Sequence, residues 1–144
     1  MSTRSRLFSP LLAIAVCTIG CGSSDEAGEL RVDAYSAIDE GNKAFENRDY
    51  AAAVDNFRRA IDNGSLNPDA YSSAAVKLAV SYGALGKFDD ASLLLDELEA
   101  GAPNRGEVYA ARSYVLAKQG KAAEARAALA QARRYNRTVQ EFKD

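Results

Sequence analysis

The sequence contains no histidine and no tryptophan, and only two cysteines and three prolines among its 144 residues. Without histidine the chain lacks the commonest general base, the commonest metal ligand and the middle member of a nucleophilic triad. Both cysteines, Cys17 and Cys21, fall at the front, so no disulfide or thiolate cluster can hold residues 22–144 together. A C-x-x-x-C pair with no histidine is a poor zinc set. Phosphate-cradling glycine loops and calcium loops are missing too. So is a basic balance: the formal charge is −2, with 17 acidic and 8 basic residues from Cys21 to Glu107 against 3 and 8 from Val108 to Asp144. That excludes a protein-wide nucleic-acid footprint, and the locally positive C-terminal end reads as solvated helix surface. Acidic pairs occur at Asp89-Asp90 and at Asp96-Glu97 with Glu99. On a helix, however, neighbours diverge by about 100° and do not converge on one centre. No catalytic residue, metal site or cofactor is expected, and an enzyme is not the expected class.

What is present begins with an address. Residues 1–6, MSTRSR, carry two arginines and no acid, and an apolar run from Leu7 to Gly20 comes next. As a helix this run rises about 21 Å, short of the roughly 30 Å hydrocarbon core. Pro10 inside it argues further against a permanent span. A positive region, a short apolar region and a small residue make a secretory signal. Thr18–Cys21, TIGC, resembles the lipobox of bacterial lipoprotein precursors, with Gly20 before the cysteine and Thr18 where leucine is usual. The resemblance implies a signal peptide at 1–20, cleavage before Cys21, lipidation of the Cys21 sulfur and acylation of the new amino terminus. Gly22 after the cysteine implies the periplasmic face of an outer membrane. Ala13–Ala15, AIA, offers an ordinary secretory cleavage site instead; the mature chain would then start at Val16 and keep both thiols, which an oxidising compartment can pair. Residues 21–30 are small, polar and acidic and read as a flexible tether between membrane and folded part.

Behind the address the chain repeats itself. GKFDDASLLLDEL, Gly86 to Leu98, aligns with GKAAEARAALAQA, Gly120 to Ala132, at an offset of 34. RDYAAAVDNFRRA, Arg48 to Ala60, aligns with the first of these at an offset of 38: Tyr50 with Phe88, Ala53 with Ala91, Phe57 with Leu95. Ala53, Phe57, Ala60 and Ile61 make one stripe of a helix. Pro68 suits a first helical position with Asn67 as cap, Asn104 with Glu107 makes a capping box, and Asn63-Gly64 reads as a helix stop. The spacings predict helices near 31–47, 50–63, 68–85, 88–101, 105–118 and 122–135. The middle copy, with Leu78, Ala79, Tyr82, Gly86, Phe88, Ala91, Leu95, Leu98 and Pro103, resembles the tetratricopeptide repeat, whose period is 34. Gly41 stands at the matching point of the first copy; Arg112 and Ser113 of the third depart from the pattern's leucine and glycine. The resemblance implies an all-α fold, three helix–turn–helix hairpins in a short right-handed α-solenoid over 31–144, with repeats near 34–67, 72–105 and 106–139.

In that family the first helix of each repeat lines a concave groove. The resemblance therefore implies a groove of Tyr35, Ile38, Asn42 and Phe45, then Val76 and Val80, then Ala110, Tyr114 and Lys118. GNKAF, Gly41 to Phe45, is similar to members that clamp a partner's terminal carboxylate, but Ile38, Glu107 and Ala111 stand where that clamp needs lysine or arginine. What is left suits an extended peptide or an amphipathic helix of a protein partner. Two alternatives stay open: the aromatics pack only against neighbouring helices, or the groove holds the chain's own tail. For residues 136–144 the expectation is an added helical turn or two, with Val139 and Phe142 docking on the last repeat. The functional expectation is a lipid-anchored adaptor or scaffold in a bacterial envelope complex. Its alternative is a soluble periplasmic or secreted scaffold that self-associates into a homo-oligomer through its repeat ends.

Overall fold

The computed structural model describes the chain from Ser23 to Lys143. The expected signal peptide at 1–20 and the lipidation at Cys21 lie outside the described residues. Among the described residues six helices succeed one another: α1 (Ser23–Glu46), α2 (Tyr50–Asp62), α3 (Pro68–Ala84), α4 (Phe88–Gly101), α5 (Arg105–Lys118) and α6 (Ala122–Tyr135). Helix α1 begins eight residues before the expected 31, so the stretch read as a flexible tether is helical from Ser23 onward. From Ala27 to Asp33 the side chains are exposed, and Ala34 is the first that the fold buries.

The helix starts obey their caps. The side chains of Asp49, Asn67 and Asn104 accept from the amides of Ala52 (3.1 Å), Ala70 (2.8 Å) and Glu107 (3.4 Å), so each satisfies a donor the first turn leaves open. Inside each hairpin the turn is the same. Arg48, Gly86 and Gly120 have φ of 61°, 76° and 78°. The next residue in each case donates back to Ala44, Tyr82 or Leu116 at 2.9 Å. This closes the helix end with a left-handed residue. The four residues that stretch the first offset to 38 are taken up by α3, three residues longer than α5, and by the connection 63–67, two longer than 102–104, less one in α2; Gly64 in that connection takes φ 74°.

The helices form two layers. Helices α1, α3 and α5 pack side by side, whereas among the described residues α2, α4 and α6 touch only the first layer. Between α2 and α4 a space of about 230 Å³ opens, lined by Arg58, Ile61, Asp90 and Leu93 among others. Helices close on one face and splayed on the other bend the array, so α1, α3 and α5 line its concave side. The core is two linked clusters. Ala53, Val54, Phe57, Ala74 and Leu78 join the first hairpin to the second; Val76, Val80, Leu95, Val108, Tyr114 and Val115 help join the second to the third.

Candidate functional site: a concave groove holding the C-terminal tail

Helix α6 ends at Tyr135, and Asn136 leaves it in an extended conformation, φ −143°. The Asn136 side-chain oxygen accepts from the amide of Thr138 at 3.0 Å and from its hydroxyl at 2.9 Å, while the Val139 amide donates to the Asn136 carbonyl at 3.2 Å. This tight turn reverses the chain. It sits close to the start of α5 because residue 106 is glycine: a Cβ there would lie 3.0 Å from the Asn136 Cβ. The expected helical extension therefore does not form; turn and coil replace it over 136–143. Asn136, with Thr138 two residues on, supplies an alternative to the helical hydrogen bonds.

From the turn the tail crosses the concave face diagonally. It passes Glu107 of α5, then Ser73, Val76 and Lys77 of α3, enclosing with them a space of about 350 Å³. It ends against α1, where the Phe142 ring meets Phe45 edge-on, centroids 6.3 Å apart at 87°. Phe45 in turn packs edge-on to Tyr50 (5.8 Å) and Phe57 (6.5 Å). Phe142 thus packs on the cluster that joins the second and third repeats, as expected, and also reaches Phe45 of the first hairpin, where an aromatic cluster lies. Glu141 pairs with Arg133 on α6.

A family model described as Tetratrico peptide repeat matches residues 39–144. The chain belongs to the tetratricopeptide repeat family. No curated protein and no solved structure matches the chain. Repeats of this family form helical solenoids that serve as protein–protein interaction scaffolds, in general without catalysis. Among the described residues no helix is long and apolar enough to cross a membrane.

Within this repeat array the residues read as groove-lining fall in three groups. Tyr35, at 37% exposure, stands on the surface of α1, and Lys118 is exposed on α5 with its ammonium 5.5 Å from the Tyr114 ring centre. Ile38, Asn42 and Phe45 are half-buried, and the Asn42 side-chain oxygen accepts from Lys77 at 2.5 Å. Val76, Val80, Ala110 and Tyr114 are buried. Val76 lies beneath the tail, and Val80 belongs to the cluster joining the second and third repeats. Two lining residues, Ser73 and Lys77, were missed by sequence reasoning, while Glu107 was named only as a clamp position without the clamp's charge. Ser73 and Glu107 are the repeat equivalents of Tyr35 at offsets of 38 and 72, so the repeat register alone finds Ser73. Lys77 takes a helix-pair contact whose partner lies 35 residues away.

Another polar cluster lies where α4, α5 and α6 meet. Arg112 reaches Asp96 at 2.7 Å and Glu99 at 3.0 Å, and the Tyr109 hydroxyl donates to Glu99. That bond holds the Tyr109 phenol above its ordinary 10.0, helped by desolvation and by the Glu99 charge. Tyr109 also stacks on Tyr135, 5.5 Å apart at 10°. The cluster ties α4, α5 and α6 together with paired charges and contains no nucleophile beside a base.

Proposed function

We propose that this chain is a lipid-anchored scaffold of a bacterial envelope complex, holding a peptide or protein partner in the groove of α1, α3 and α5. The observation that carries the reading is the tail itself: a non-helical segment of polypeptide already lies across that face, with one aromatic side chain in an aromatic subsite. Membership of an interaction-scaffold family supports it. The anchoring half rests on TIGC after a short apolar run, with Cys21 as the modified residue. The partner is expected among proteins of pilus assembly, outer-membrane protein assembly or peptidoglycan maintenance.

The intact mass of the mature chain, extracted from a bacterial membrane fraction, tests the anchor. A chain that starts at Cys21 and is heavier by diacylglyceryl and acyl groups is the expected result. An unmodified chain starting at Val16 in the soluble fraction overturns it.

A further inference from the structure

We propose that residues 136–143 are an internal ligand of the groove, and that the external partner is an extended segment whose phenylalanine-like side chain takes the place of Phe142 against Phe45. The proposal rests on the groove being the binding face, and it adds both the chemistry of the partner and the competitor it must displace.

Three observations carry it. First, the tail crosses all three lining helices, leaving Gly106 at the start of α5, passing Val76 in the middle of α3 and ending at Phe45 in the last turn of α1. A cap that served only to cover the end of the last repeat would have no reason to reach the first. Second, the fit is incomplete. A groove of about 350 Å³, open to solvent, is lined by tail and helices together, and of residues 136–143 only Asn136, Val139 and Phe142 are even half-buried. Third, the attachment is through side chains. Among the described residues, positions 140–143 make no backbone hydrogen bond to the helices. The contacts of the segment include the Phe142 ring on Phe45 and on the cluster of the second and third repeats, and the Glu141–Arg133 pair, which is more than half exposed at the arginine. Being part of the same chain gives the segment a high effective concentration over the groove. A partner then binds only the fraction of molecules whose tail has left, so its apparent affinity is reduced by that fraction.

The aromatic subsite defines the partner's anchor. Phe45 presents its ring edge-on to Tyr50, Phe57 and Phe142 at once, a geometry that favours another aromatic ring over an aliphatic side chain. Val76 and Lys77 flank the approach, and an extended backbone is what the diagonal path accommodates.

The test uses the full chain and a fluorescein-labelled peptide of residues 136–143, read by anisotropy. Wild type is expected to bind the peptide at least tenfold more weakly than Phe142→Ala, and a peptide with alanine at the phenylalanine position is expected to bind neither. Helicity measured alongside establishes that the variant is folded; should Phe142→Ala lose helicity, Val139→Ser takes its place, since it loosens the tail without touching the aromatic cluster. Equal binding to wild type and variant overturns displacement of the tail, and no binding to a folded variant overturns the aromatic subsite. Both results leave the mass measurement of the anchor untouched, so failure here is distinguishable from failure of the anchoring reading.

Discussion

At Arg48 the backbone adopts φ 61°, the left-handed conformation that Gly86 and Gly120 take at the same point of the other two hairpins. A side chain there costs about 1 kcal/mol or more relative to glycine. Arg48→Gly is therefore expected to stabilise the chain by about 1 kcal/mol, less what glycine returns to the unfolded state; a higher urea midpoint at unchanged slope is the measurement. In the first helix of each hairpin, Gly41, Ala79 and Ser113 are equivalents and show what is legible from sequence. Glycine at 41 is required by packing, since a Cβ would lie 2.7 Å from the Phe57 ring. Ser113, which departs from the pattern, is accommodated because its hydroxyl donates to the Ala125 carbonyl at 2.8 Å. Arg112, the neighbouring departure, is accommodated by acids of α4. The departures are visible in the sequence; their partners are not, because they sit 12 to 16 residues away on another helix.

Among the elements, α2 to α6 lie within a residue of their expected bounds, because caps and left-handed turns are local chemistry that residue type announces. The start of α1 differs from expectation, since residues 27–33 are exposed and carry no apolar stripe to reveal the helix. The tail differs for the opposite reason: the contact that decides its path, Phe142 on Phe45, spans nearly the whole chain and leaves no period in a short segment. The α4–α5 contact makes a pH prediction. The Tyr109 phenol is held above 10.0 chiefly by its bond to Glu99, so the folded state keeps its proton more tightly than the unfolded one. The stability this contributes is complete below 10.0 and is lost as pH rises through the higher folded value. Urea midpoints measured across the alkaline range are expected to fall more steeply for wild type than for Tyr109→Phe. Equal slopes would show that the bond contributes nothing.

Over the whole molecule, the two core clusters share Phe45, Ile61, Tyr82 and Leu94, which pack against both. Repeat arrays are nearly one-dimensional and can lose their ends first, but here Phe142 of the tail also reaches the first repeat. Unfolding in urea is expected to be a single transition, with far-ultraviolet circular dichroism and tyrosine fluorescence coinciding; separated transitions would show the clusters to be independent. The exposed beginning of α1 bears on how the molecule stands at a surface. Residues 23–30 as a helix reach about 12 Å, continuous with the helix that carries Tyr35, Asn42 and Phe45 along the groove. Were Cys21 the anchor, as proposed, this helical part of the link would be a stalk and not a string, and the height at which a partner meets the groove above the bilayer would be set largely by it.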